Sequence, residues 1–295
     1  MKNFLYRLVS RLSKSAGLWV FAAYAWIVST GFFLFSPMRV RNSVRFYRIL
    51  FPDRGTMFLL WCAWRQFHNF AEVFFDRFLL QEFSKISYTS EGWEHLEKAR
   101  RQGRGGILLM SHMGNWEVAA HLLKQKDEDL NLLLYMGAKH KEQLERIQKE
   151  SLRHSGIKII AADEGGGSPL DIVEGVRFID SGGLVSMTGD LVWKEEQRTV
   201  LVTFLGHEAL LPATPHLLAL LSGAPLFVFF AFRSGKGQYH FTLSEPIRVE
   251  APSRAERTEA IRRCAQRYAD ILEETLRANP LQWYHFEPFL DSKQK

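Results

Sequence analysis

The sequence contains few of the residues that identify a disulfide scaffold, a zinc site or a hydrolase nucleophile. It has two cysteines, Cys62 and Cys264, far apart in a chain of 295 residues, which argues against a disulfide framework and a structural zinc site. No G-x-S-x-G serine motif occurs. The glycines of "DEGGGSP", at 163–169, lack the Lys and Ser or Thr of a phosphate-binding loop. We therefore expect neither a metal nor a cofactor.

Acidic residues are nearly absent from the first 54 positions. This segment holds nine Lys and Arg residues against one acid, Asp53, whereas the rest of the chain has 29 bases and 31 acids. A basic terminus on a near-neutral body argues against a nucleic-acid groove spread over the fold. It favours attraction to an anionic membrane surface, with a solvated basic helix as the simpler alternative.

A run of twenty uncharged residues, 16–35, lies within this basic segment, and it has about the length that a helix needs to cross a bilayer. Residues 3–14 place apolar and basic side chains on opposite helical faces, as an interfacial helix does. We predict a membrane-anchor region over residues 1–50 and a main domain over 51–295. A cleaved signal peptide is the competing interpretation, but the apolar run is long and no convincing small-x-small cleavage site precedes Pro37. Basic residues flank the run equally, so spanning and interfacial arrangements both stay open.

The main domain alternates short apolar runs with amphipathic ones. Residues 56–83 form an amphipathic helix with a wide aromatic face. Strands are predicted at 86–89, 106–110, 131–135, 157–160, 184–188, 200–204, 226–232 and 239–244, and helices at 91–101, 115–125, 140–153, 169–180, 213–221 and 254–277. The alternation predicts an α/β fold, with a mixed, largely parallel sheet flanked by helices.

A histidine followed five residues later by an acid occurs three times, beginning at His112, His140 and His240. The second pair lies in a predicted helix and the third in a predicted strand, where a five-residue step points side chains apart. The first lies in "SHMGNWE", 111–117, directly after a buried strand. Gly114 gives its backbone freedom to turn and Asn115 is suited to cap the next helix.

This turn is therefore the candidate site. Ligands of open α/β sheets bind at the carboxyl ends of strands, and Glu117 is placed to orient His112 as a general base. Because no serine or cysteine nucleophile accompanies the pair, the substrate is expected to supply one. A base beside a membrane anchor favours acyl transfer onto a lipid, and a purely structural histidine is the alternative.

Several stretches resemble one family. "SHMGNWE" is similar to the H-x4-D/E motif of the lysophospholipid acyltransferase superfamily, in the Glu-bearing form of the bacterial lipid A biosynthesis (late) acyltransferases. Further similarity lies in "SEGWEHLEKARRQGRGGILLMSHMGNWE", "SGGLVSMTGD", "VTFLGHEALLPATPHLLALLSGAPLFVFF" and the ending "NPLQWYHFEPF".

The resemblance implies a transferase at the cytoplasmic face of the bacterial inner membrane. It would move a fatty acyl group from an acyl carrier protein thioester, or from acyl-CoA, to a hydroxyl of a lipid A precursor or related glycolipid. His112 would be the base and Glu117 its partner. Another lipid acceptor, such as a lysophospholipid or amino lipid, a hydrolase that uses water, and a non-catalytic lipid-binding homologue are the alternatives.

Three further residues are substrate-binding candidates. Asn115 lies in the motif turn, and Asp190 matches an acid of the family's second block, where it would position the acceptor, buttress the site or cap a turn. Many family members carry an Arg where this chain has Met136. The resemblance leaves Arg198, Lys139 or Lys141 to replace that cation.

Overall fold

The computed structural model describes residues 17–83, 86–103, 105–137, 152–153, 156–162, 169–192 and 197–290. The helices are α1 (Trp19–Phe35), α2 (Pro37–Leu50), α3 (Thr56–Phe83), α4 (Trp93–Arg101), α5 (Trp116–Lys126), α6 (Pro169–Asp180), α7 (Thr214–Ser222) and α8 (Arg257–Ala278). The strands are β1 (Ser87–Glu91), β2 (Gly106–Met110), β3 (Leu132–Gly137), β4 (Lys158–Ala162), β5 (Leu184–Thr188), β6 (Thr199–Phe204), β7 (His207–Pro212), β8 (Leu226–Gly235) and β9 (Gln238–Leu243).

Seven strands form one sheet in the order β1-β9-β8-β2-β5-β3-β4. All neighbours pair in parallel except β8 and β9, which are antiparallel. Helices flank this sheet, so the predicted α/β class is confirmed. The central strands β2 and β5 are buried along nearly their whole length, as expected for parallel strands covered on both faces.

The strand β7 was not predicted. It pairs with β6 in a separate antiparallel hairpin, whose turn consists of Leu205 and Gly206, both at positive φ (53° and 77°). Positive φ at both turn residues gives the tight turn that suits a two-residue hairpin. The polar start of β7 at His207 and Glu208 concealed the strand in the sequence. The helix predicted at 140–153 falls almost entirely on residues outside the described ranges.

Alternate side chains of the sheet supply two apolar clusters, one on each face. Ile107 and Leu109 of β2 lie in the larger cluster, with residues of α2, α7 and α8. Leu108 and Met110 lie in the smaller one, with α4, α5 and β9. This is the two-residue alternation of a strand that is covered on both faces.

The N-terminal helices pack on the rest of the chain instead of standing apart. Helix α1 packs along α3, and α2 turns away from α1 by 88°. Across the described ranges, none of the helices taken singly has both the length and the apolar character for crossing a bilayer; α1 and α2 meet those two criteria only when joined across their bend. Residues Phe46, Tyr47 and Leu50 of α2 belong to the larger cluster, so the expected anchor region contributes to the core.

Candidate functional site

The site begins at the carboxyl end of β2, where residues 111–115 turn the chain into α5. Gly114 has a φ of 69°, and a Cβ added there would lie 2.0 Å from the carbonyl oxygen of Ala231, so glycine is required. The N–H of Asn115 donates to that same oxygen (2.9 Å), and the N–H of Gly114 donates to the carbonyl of Gln282 (2.8 Å). The turn is thus held between β8 and the C-terminal tail, residues 279–290.

The tail itself is fixed by polar side chains of α3. The amide of Gln66 donates to the Trp283 carbonyl at 2.6 Å and that of Asn69 to the Leu281 carbonyl at 3.0 Å. The N–H of Tyr284 then donates to the carbonyl of His112 at 2.8 Å. Helix α3, the tail and the histidine turn therefore form one hydrogen-bonded unit.

His112 pairs with Asp190. Its Nδ1 lies 2.9 Å from Asp190 Oδ1, and its backbone N–H donates to Oδ2 at 2.7 Å. The indole N–H of Trp283 also donates to Oδ2, at 2.8 Å. The Asp190 side chain is fully buried, whereas 26% of the His112 side chain is exposed. The arrangement is a buried carboxylate that holds a partly exposed imidazole.

Asp190 is ionised at neutral pH. Burial opposes the charge and raises the pKa of this carboxyl, but its electrostatic interaction with His112 and the hydrogen bonds from His112 and Trp283 bring the pKa below its ordinary value. Because an ionised carboxylate only accepts hydrogen bonds, Nδ1 carries the ring proton. Nε2 is then the ring nitrogen that takes up a proton when His112 acts as a base.

A second histidine lies beside this pair. The ring of His285 is 6.3 Å from that of His112, centroid to centroid, at 87°, and it packs between Trp283 and Phe289. Burial lowers its pKa to about 4, against a smaller raising effect of Asp190. His285 is therefore neutral at physiological pH, and it adds no positive charge beside His112.

Glu117 was expected to orient the His112 ring, and the structure gives that role to Asp190. Asp190 occupies Nδ1, and Glu117 forms a buried ion pair with Arg77 of α3. The reason is local: Asn115 Oδ1 accepts from the Val118 N–H (3.2 Å) and starts the helix at Trp116. Glu117 lies in the first turn of that helix, where it meets Arg77.

The three substrate-binding candidates do not share one position. Asn115 and Asp190 are buried, with 2% and 0% exposed. They therefore hold the histidine turn in place and are not accessible to a substrate. Arg198 is exposed just before β6, and no ion pair of its side chain occurs among the described residues. Met136, where the family Arg was expected, is half-buried against the smaller cluster. Lys139 and Lys141 lie outside the described ranges.

A buried polar network that was not predicted connects α3 with the turn. Asp76 accepts from Arg233 Nε and from the Tyr239 hydroxyl, both at 2.7 Å. That hydroxyl accepts from Asn115 Nδ2 at 3.0 Å, and Arg233 also pairs with Glu72. The available signal was the recurrence of charged residues on an otherwise aromatic helix, since buried charges need partners.

Trp283 and Arg77 were likewise missed as site residues. Trp283 lies in the tail stretch "NPLQWYHFEPF", and a buried indole N–H usually has a hydrogen-bond acceptor. That signal predicts that the indole N–H has an acceptor, but it does not identify Asp190 as that acceptor. Among the described residues, no group of three or more His, Cys, Asp or Glu is arranged to hold a metal ion.

The chain is similar to known proteins over much of its length. A phosphatidylinositol mannoside acyltransferase of Mycobacterium tuberculosis H37Rv is 24% identical over 206 residues, which cover 67% of this chain and 58% of the relative. One of Mycolicibacterium smegmatis is 29% identical over 153 residues, covering 49% and 45%. The chain thus spans less than two thirds of these relatives. Residues 64–290 match the profile of the bacterial lipid A biosynthesis acyltransferases. That match covers most of the chain, from α3 through the histidine turn to the tail, and the chain belongs to the bacterial lipid A biosynthesis acyltransferase family.

Proposed function

We propose that this protein is an acyltransferase that moves a fatty acyl group from a thioester to a hydroxyl of a lipid. The observation that carries the proposal is the His112–Asp190 pair at the carboxyl ends of β2 and β5. Family membership and the acyltransferase relatives support it. A partly exposed base without a protein nucleophile suits a reaction in which the substrate supplies the nucleophile.

The reaction follows from the tautomer. Nε2 of His112 accepts the proton of the acceptor hydroxyl as its oxygen attacks the thioester carbonyl. Asp190 stabilises the imidazolium through Nδ1–H. The tetrahedral intermediate then collapses, the C–S bond breaks, and the leaving thiolate takes the proton from His112. An ester and a thiol result, and the base is restored.

The acceptor in this proposal is a hydroxyl of a lipid A precursor or a related glycolipid. The family description names lipid A, and the relatives' names specify phosphatidylinositol mannoside. An acyl carrier protein or coenzyme A carries the acyl donor. The reaction takes place at the cytoplasmic face of the bacterial inner membrane, where acyl donors and lipid acceptors meet. The hydrophobic residue at Met136 means that an anionic acceptor would need a cation from elsewhere in the chain.

The proposal is tested by lipid mass spectrometry on membranes that express the full chain with a labelled fatty acid. We expect one lipid class to gain one acyl group with the wild type and none with His112→Ala. Asp190→Asn should lower turnover by roughly 10²-fold or more, because an amide does not stabilise the imidazolium. His240→Ala is the matched control: this histidine also precedes a Glu by five residues, but it contacts Thr89 on the edge strand.

Each other outcome contradicts the proposal in a distinct way. Release of labelled fatty acid without an acylated lipid would identify a hydrolase. An unchanged lipid profile with folded wild type would favour a non-catalytic lipid-binding protein. Full activity of His112→Ala would remove the histidine from the mechanism.

A further inference from the structure

The most exposed apolar feature of the described chain is the junction between α1 and α2. We call residues 34–41, "LFSPMRVR", the elbow. Leu34, Phe35 and Met38 are 64%, 85% and 71% exposed. Arg39 and Arg41 follow directly and are also exposed. Single exposed apolar residues are common on proteins, but a contiguous group of this exposure marks an interaction surface.

The inner face of α1 is already occupied by protein. Phe21 packs on Phe75 with ring centroids 5.7 Å apart, and twelve residues later Phe33 packs on Phe67 at 5.6 Å. Helix α1 therefore lies along α3 over most of its length of about 25 Å. Its outer face remains apolar and exposed, as at Ile27 and Leu34.

The charged residues along α1 and α2 have one sign. Arg39, Arg41, Arg45 and Arg48 of α2 are all exposed, and no acid occurs from residue 17 to residue 52. Exposed arginines beside an apolar surface complement an anionic lipid leaflet. The exposed indoles of Trp19 and Trp26 favour a bilayer over an acidic protein, because tryptophan is enriched at the boundary of hydrocarbon and headgroups.

We infer that the elbow enters an anionic membrane leaflet as a shallow wedge. Phe35 and Met38 reach the acyl chains, α1 lies in the membrane plane with its outer face in the interface, and the α2 arginines bind lipid headgroups. This docking does not depend on the proposed reaction, so it is tested by binding alone.

The first experiment is co-sedimentation of the full chain with phosphatidylcholine vesicles that contain or lack phosphatidylglycerol. Phe35→Ser with Met38→Ser should lower partitioning into the vesicles roughly 10-fold or more, because the protein then lacks two apolar side chains that would enter the lipid acyl chains. Arg39→Gln with Arg41→Gln should lower it about 10-fold on the phosphatidylglycerol vesicles, with a smaller change on pure phosphatidylcholine.

Two matched controls distinguish binding by the elbow from non-specific hydrophobic binding and from non-specific electrostatic binding. Leu201→Ser with Leu210→Ser removes another exposed apolar pair, on the β6–β7 hairpin, and Arg254→Gln with Arg257→Gln removes two exposed arginines near the start of α8. Both should bind like the wild type. Wild-type binding by the elbow variants, or an equal loss in the controls, would overturn the inference.

The second experiment measures how deeply the elbow enters the bilayer. Cys62 and Cys264 are buried, and burial raises their pKa to about 11 and about 12, so thiol reagents will favour a new exposed cysteine. An environment-sensitive fluorophore on Phe35→Cys should be quenched more by lipids brominated near the headgroup than by those brominated near the chain ends. The same label on Ile27→Cys should lie no deeper. Deepest quenching at Ile27 by chain-end bromines would show that α1 spans the bilayer, and the wedge would be wrong.

Discussion

At the scale of single residues, the partner of His112 is set by strand register. Met110 of β2 lies opposite Thr188 of β5, and each strand ends there. His112 and Asp190 both come two residues later, so parallel pairing brings them to the same edge of the sheet. The five-residue spacing from His112 to Glu117 is instead a property of the turn and the first turn of α5. The motif places the acid against Arg77, where it supports the helix that carries the site.

This difference predicts separate effects for the two acids. Glu117→Gln leaves the Arg77 guanidinium buried without its counter-charge and should cost about 3–5 kcal/mol of folding free energy. Because Asp190 still orients His112, the folded fraction should retain most of its turnover. Urea unfolding, with turnover measured well below the transition, tests both statements.

A double variant is the control for Glu117. Arg77→Met with Glu117→Leu removes both charges and should recover most of the lost stability. If that protein is folded but as inactive as His112→Ala, then Glu117 takes part in the chemistry, and a purely stabilising role for its ion pair with Arg77 is wrong.

At the scale of elements, the sequence pattern predicted most accurately the strands that are buried along nearly their whole length. Strands β2 and β5 have the predicted ends because both are short apolar runs bounded by glycine or polar residues. Helix α3 was predicted from its periodicity. The contact of Trp283 with Asp190 joins residues 93 apart, and that of Arg77 with Glu117 joins residues 40 apart. Such contacts depend on strand order and on the path of the tail, which local patterns do not contain.

Two glycines, Gly103 before β2 and Gly114 after it, have nearly the same backbone conformation and lead to a prediction. Gly103 and Gly114 have φ of 68° and 69°, but a Cβ at Gly103 meets nothing within 4 Å, whereas one at Gly114 meets the Ala231 carbonyl. Gly103→Ala should cost only about 1–2 kcal/mol, the strain of the left-handed conformation. Gly114→Ala should cost more folding free energy and should also reduce activity. The displaced turn would weaken the hydrogen bond from the Tyr284 N–H to the His112 carbonyl.

Thermal unfolding and turnover of both variants check this expectation. Equal stability losses would mean that only backbone strain matters and that the turn accommodates a methyl group. Normal activity of Gly114→Ala would show that the clamp between β8 and the tail does not position His112.

At the scale of the whole molecule, the N-terminal helices have two roles. The elbow points outward, while Phe46 of α2 packs on Trp283 with ring centroids 4.9 Å apart, and Asn42 donates to the Phe286 carbonyl at 3.1 Å. The surface that we assign to the membrane is therefore connected through α2 to the tail that holds Asp190. Removing residues 1–50 as a dispensable anchor would also uncover Trp283.

The whole chain should lose stability in mild acid because two buried histidines are neutral in the fold. Burial lowers the pKa of His216 and of His285 to about 4. Below the ordinary pKa near 6.5 the unfolded chain binds protons that the folded chain does not, so stability falls as the pH drops from about 6.5 towards about 4. Each ring should account for about 2 kcal/mol by pH 5. Asp190 does not contribute in this window, because its ordinary pKa of 3.8 in the unfolded chain and its lowered pKa in the fold both lie below pH 4.

Urea unfolding between pH 7 and pH 5 measures this loss. His216 lies outside the site, with Nδ1 3.2 Å from the sulfur of Cys264, so His216→Leu should remove its share of the pH dependence without changing turnover. His216→Gln serves the same purpose if leucine prevents folding, and His207→Gln, at an exposed histidine, should keep the wild-type dependence. An unchanged dependence in both His216 variants would mean that protonation of this ring is not what unfolds the protein, and that water reaches it in the folded state.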